Sequence, residues 1–89
     1  MIPSIILGEA LYALRKERRM DRFEPLLDFI ETNPSFPVIP LDLPIVRRCG
    51  WMSEPPEFHD RVIAATALLH GAKVITKDPA IRAVCAWEW

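Results

Sequence analysis

Eighty-nine residues, 51% of them apolar and 26% charged, make one domain at most, with the balance of an ordinary soluble globular chain. A chain of this length buries only about 60–65% of the surface its unfolded form exposes, so the core is marginal. A formal net charge of −1 gives no global pull toward nucleic acid or an anionic membrane, though local basic clusters can still bind RNA.

No apolar run approaches the roughly 20 residues a membrane helix needs, and Ile5–Leu7 is too short for the core of a secretion signal. Cys49 and Cys85 have no companion Cys or His at metal spacing. Compartment preference favours two reduced thiols in the cytoplasm over a disulfide.

In chain order, Met1–Pro3 is too short to form an element. Ser4 offers an N-cap oxygen, and Leu7, Ala10, Leu11 and Leu14 recur at helical spacing, predicting a helix over 4–19. Gly8 weakens it by up to about 1 kcal/mol relative to Ala, which points to close packing there. Arg15, Lys16, Arg18 and Arg19 crowd its end, where cations favour the helix dipole. Glu9 follows three aliphatic residues and Gly8, and Ala13 occupies the i+4 position where a cation could answer it. It is either a solvent-facing carboxylate or one held inward for a metal.

Phe23, Leu26, Leu27 and Ile30 predict a second helix over 21–32, with Pro25 in the first turn. Asn33, Pro34, Ser35 and Pro37 break it. A short strand over 38–41 follows, placed at an edge by Pro40. Asp42 and Pro44 open a helix over 43–49 that Gly50 would stop. Residues 51–58 read as a loop around Pro55–Pro56, with Glu54 and Glu57 as solvated loop charges.

The chain then gives its most organised stretch, Phe58 to Arg82. A largely buried helix over 60–70 carries the small residues Ala64, Ala65 and Ala67, and ends at Gly71. A short apolar strand over 73–76 suits a parallel sheet. Asp78–Pro79 turns the chain, residues 80–84 form a helical turn, and the final residues form an edge strand. Asp60 at the helix mouth and Asp78 past the strand exit lie where α/β folds gather ligand chemistry. Each has a structural alternative. Asp60 can serve the helix amides, and Asp78 can hold an Asp-Pro turn. The chemical alternative is a set of hard oxygen ligands for Mg²⁺ or Mn²⁺, converging from separate elements.

The stretch with Asp60, Ile63-Ala64-Ala65-Thr66-Ala67, Gly71-Ala72 and Thr76-Lys77-Asp78 resembles the C-terminal half of a PIN-domain ribonuclease of the VapC toxin type. The helix bearing Ser4 and Glu9 resembles the family's helix with an inward Glu, and residues 38–42 its intervening strand. The resemblance spans essentially the whole chain, as a single PIN-like domain over 1–89. It implies an incomplete three-layer α/β/α fold with a short, mostly parallel sheet. It also implies Mg²⁺- or Mn²⁺-dependent cleavage of RNA phosphodiesters by Glu9, Asp60 and Asp78, with Thr76 in support. Arg15, Lys16, Arg61 and Lys77 are candidates for phosphate contact, with plain solvated charge as the alternative.

The family's N-terminal β-α-α-β portion, with its strand-ending Asp, has no counterpart here. Strands near Val38, Val74 and the C-terminus are therefore expected to lack central neighbours, and the chain alone is expected to cleave weakly or not at all. The resemblance further implies the toxin of a toxin–antitoxin pair, with a cognate antitoxin as partner, a homodimer and a cytoplasmic location. The rival reading is a non-catalytic interaction module that binds an antitoxin or another chain. Trp51, Trp87 and Trp89 would suit such contacts, or else be partly buried. A small unrelated α/β domain whose acids are only caps is the third.

Overall fold

The computed structural model describes residues 1–89, arranged as two compact units, Met1–Pro40 and Leu41–Trp89. The first unit runs β1 (Ile2–Pro3), α1 (Ser4–Lys16), a 3-10 turn (Met20–Arg22), α2 (Phe23–Thr32) and β2 (Val38–Ile39). Strands β1 and β2 pair in parallel, Ile2 opposite Val38 and Pro3 opposite Ile39, and the Ile2 amide donates to the Pro37 carbonyl at 2.9 Å. So Met1–Pro3 does contribute an element: two residues that give β2 its neighbour. The predicted apolar stripe of α2 holds, with Ile30 buried and Phe23, Leu26 and Leu27 half-buried. The Phe29 and Phe36 rings, 5.8 Å apart, close the turn that follows.

Three expectations for α1 need correction. Ser4 is its first helical residue rather than its cap; Pro3 occupies the N-cap position, with no side-chain cap hydrogen bond. The helix ends at Lys16, because Arg18 takes a left-handed conformation with φ 58°. A Cβ built on Gly8 meets nothing within 4 Å, so no close packing explains that glycine.

The second unit runs α3 (Leu43–Trp51), α4 (Phe58–His70), β3 (Val74–Ile75), α5 (Pro79–Arg82) and β4 (Trp87–Glu88). Asp42 caps α3 as expected, accepting from the Ile45 amide at 3.2 Å, and Pro44 sits in the first turn. Gly50 does not stop this helix, which runs through it to Trp51. Helix α4 starts two residues earlier than its apolar pattern suggests and ends at Gly71, whose φ of 61° is left-handed. A side chain there would be strained, since glycine alone adopts that conformation at no steric cost.

Strands β3 and β4 pair in parallel, Val74 opposite Trp87 and Ile75 opposite Glu88. The protein is therefore α/β with short parallel strand pairs, and each strand expected to lack neighbours has one partner. Most of the buried apolar residues are in this second unit: Ile45 and Cys49 on α3, Val62, Ala64, Ala65 and Ala67 on α4, and Ile81 on α5. Thr66, also buried, donates its hydroxyl to the Val62 carbonyl at 2.6 Å, so no polar group is stranded. The run of alanines lets α3 and α5 approach α4 closely. Both cysteines are free thiols, and burial pushes each above the usual thiol range. No helix is long and apolar enough to cross a membrane.

Candidate functional site

Asp78 is held by the turn that leaves β3. Its backbone N–H donates to Thr76 Oγ1 at 2.9 Å, and its own Oδ1 accepts from the Ala80 amide at 2.9 Å. The acid thus caps α5 while its other carboxylate oxygen accepts no hydrogen bond. Thr76 is pinned in turn, because Arg82 Nε donates to its carbonyl at 3.1 Å. The structural reading of Asp78 as a turn residue is correct, and it leaves one oxygen available to a ligand.

Asp60 is different. Helix α4 begins at Phe58 with Glu57 at the N-cap position, so Asp60 is the third residue of its first turn, and no side-chain cap hydrogen bond forms there. It is half-buried and no backbone amide donates to it, which removes the capping explanation. Burial pushes its carboxyl above the usual range, and the charges of Asp78 and Glu57 push it further, against a smaller opposing pull from His59. A helix N-terminus favours a carboxylate, yet burial and two like charges prevail. Asp60 and Asp78 are therefore neighbours whose negative charges oppose each other, each with free oxygen ligands.

Glu9 lies on α1 in the first unit and is exposed, not held inward. In neither unit do three His, Cys, Asp or Glu groups gather closely enough to hold an ion by themselves. The Asp60–Asp78 pair still suits a hard divalent cation. Mg²⁺ commonly takes one or two carboxylates and fills its remaining positions with water and substrate phosphate, and a cation would relieve the mutual repulsion.

Among the basic candidates, Arg15 and Lys16 form the exposed last turn of α1. Arg61 serves the loop before α4: its guanidinium donates to the Pro55 carbonyl and, at 3.3 Å, to that of Ser53. That engagement explains its presence without any phosphate. Lys77 holds its ammonium 4.5 Å from the centre of the Trp89 ring.

Sequence reasoning missed two participants. Glu57, read as a solvated loop charge, acts on Asp60. Arg82 stacks 3.8 Å over the Trp87 ring. The available signal for the second was the alternation Trp87-Glu88-Trp89, which turns both rings to one face of a strand. The expected partial burial of the tryptophans also fails for Trp51 and Trp89, which are 85% and 71% exposed.

Compared with known proteins, residues 1–86 match the family model described as PIN domain. No curated protein and no solved structure gives a match.

Proposed function

Because this chain belongs to the PIN domain family, whose members are typically nucleases, we propose that it is a metal-dependent endoribonuclease cleaving RNA phosphodiester bonds. The observation that carries this reading is the Asp60–Asp78 pair, an uncapped half-buried carboxylate beside a second acid. Asp60 and Asp78 would hold Mg²⁺ or Mn²⁺, with water and substrate phosphate filling the ion's remaining positions. The chemistry such an ion supplies is polarisation of the phosphodiester and a lowered pKa for water.

The chain's own residues prepare that site. Thr76 fixes the backbone of Asp78, and the Ala80 amide fixes one of its oxygens, so the second oxygen keeps its direction. Asp60 supplies an oxygen set that burial and repulsion make eager for a cation. Lys77 is adjacent to Asp78 in sequence and suits a substrate phosphate; Arg15 and Lys16 are further candidates, and Arg61 is the weakest of the four because of its loop contacts.

The direct test is cleavage of a fluorophore–quencher RNA by the purified chain in Mg²⁺, Mn²⁺ or EDTA. Cleavage that requires the divalent ion supports the reading, even at the weak rate expected of this chain; metal-independent cleavage sinks it, and none with either ion favours the non-catalytic module. Thr76→Val should lower the cleavage rate about tenfold, as loss of a ligand-orienting hydrogen bond typically does, and stability by about 1 kcal/mol. A rate unchanged by that substitution would show that Thr76 does not orient Asp78.

The biological setting we infer is the toxin of a toxin–antitoxin pair in the cytoplasm. One observation favours a protein partner, and equally the rival reading of a non-catalytic binding module. Leu43, Val46 and Trp51 of α3 are exposed, as is Leu69 of α4. Leu43, Pro44, Arg47, Arg48, Trp51 and Leu69 line a cavity of about 300 Å³. Exposed apolar surface of this kind marks interaction sites. An antitoxin segment, or the second copy of a homodimer, would cover it. The cleavage assay separates the readings, since a pure binding module hydrolyses nothing under any metal condition.

A further inference from the structure

We propose that Trp87 and Trp89 of β4, with Lys77 and Arg82, form a stacking platform that receives unpaired bases of an RNA strand leading to the Asp60–Asp78 site; this rests on the ribonuclease reading. Lys77 and Arg82 lie within the residues that match the PIN family model, and both tryptophans lie just beyond them.

The strand register builds the platform. Val74 is paired with Trp87, and paired residues on adjacent strands share a face of the sheet. Alternation puts Thr76 on the face of Val74, and Trp89 on that of Trp87. The Thr76 N–H to Glu88 carbonyl bond, 3.0 Å, extends the ladder one residue beyond β3. The two indoles therefore stand on the face that carries Thr76, whose hydroxyl holds Asp78. Glu88 turns to the opposite face, where Lys73 meets it at 2.9 Å. The sorting keeps the carboxylate away from the aromatic face and leaves cations on it.

Each ring has one cation over it, Lys77 4.5 Å from the Trp89 centroid and Arg82 3.8 Å from that of Trp87. Yet Trp87 is 42% and Trp89 71% exposed, so neither ring is used up by its cation. Aromatic faces for bases and interleaved cations for phosphates are what single-stranded nucleic acid requires. A duplex hides its base faces and cannot use such a platform. An apolar protein segment could cover the rings but would supply no counter-charge to Lys77 and Arg82.

The test uses the full chain carrying Asp60→Asn, so that binding is read without cleavage. A fluorescein-labelled uridine oligoribonucleotide is titrated and followed by anisotropy, with a duplex RNA as competitor. Trp87→Ala and Trp89→Ala should each weaken binding about tenfold, the scale of one lost base stack. Trp87→Phe and Trp89→Phe should largely keep it, as should Trp51→Ala, which alters an indole outside the platform. The duplex should compete poorly. Alanine variants that bind like their parent, phenylalanine variants that fail while folded by circular dichroism, or a duplex that competes as well as the single strand would each overturn the platform. Binding that depends on the tryptophans in a chain that never cleaves would sink the nuclease reading and spare the platform. Cleavage with tryptophan-independent binding would do the reverse.

Discussion

Asp60→Asn is expected to lower metal-dependent RNA cleavage at least about 100-fold, since even outer-shell partners of a metal ligand are worth about 10- to 100-fold. The same substitution should raise the melting temperature of the metal-free protein at neutral pH. The two effects share one cause. Burial, with the charges of Asp78 and Glu57, raises the Asp60 carboxyl above its ordinary value in the folded protein. A folded-state pKa above the unfolded one means that the native state binds the proton more tightly, so ionising Asp60 weakens the fold. The penalty is absent below the unfolded carboxylate pKa of about 3.9. It grows as the pH rises from there through the raised folded value and is complete above it. The melting-temperature gain of Asp60→Asn should accordingly be present at pH 7 and vanish near pH 3. A gain that persisted unchanged at pH 3, or a loss at pH 7, would show that Asp60 is not held under electrostatic stress.

Ile45→Ala should be the most damaging single change to stability. Ile45 is 1% exposed on α3, the helix that packs most extensively against α4. Truncating a buried isoleucine to alanine costs about 2–5 kcal/mol through lost burial and the cavity left behind. Total stabilities are only about 5–15 kcal/mol, and a chain of 89 residues sits toward the lower end. A fall of at least about 10 °C in melting temperature is expected, with Ile45→Val costing only about 0.5–1.5 kcal/mol. Cleavage should fail together with folding in Ile45→Ala, because α3 supports the helix that carries Asp60. Asp60→Asn is the opposite case, losing activity while gaining stability. An Ile45→Ala protein that melts within a degree or two of its parent would mean that the α3–α4 contact is not the core of this unit.

Much of this architecture is legible from local chemistry. The apolar stripe of α2, the Asp42 cap, the Gly71 stop and the Asp78-Pro79 turn are short-range signals, each carried by residues within about two helical turns of each other. The α/β class follows from helices alternating with brief apolar strands, and the Asp60-to-Asp78 spacing points to the two acids that the structure makes electrostatic neighbours. What escaped depends on backbone choices or distant partners. Nothing in the composition around Arg18 signals a left-handed residue, since no glycine stands there, so α1 reads as longer than it is. Gly50 carries the same identity as Gly71 but stays helical, with α3 running through it to Trp51. The pairing of Ile2–Pro3 with Val38–Ile39 joins residues more than thirty positions apart, beyond the reach of any local pattern. The stacking of Lys77 and Arg82 on the tryptophans of β4 likewise appears only once β3 and β4 are side by side.

The pairing of Asp60 with Asp78 as one divalent-cation site is tested most directly by calorimetric titration of Mn²⁺ into the wild-type chain, Asp60→Asn and Asp78→Asn at pH 7. Wild-type protein should bind one ion, and each substitution should weaken that binding by about 10-fold or more, because each removes a carboxylate ligand. If both variants bind Mn²⁺ as the wild type does, or if only one of the two acids matters, Asp60 and Asp78 do not share an ion.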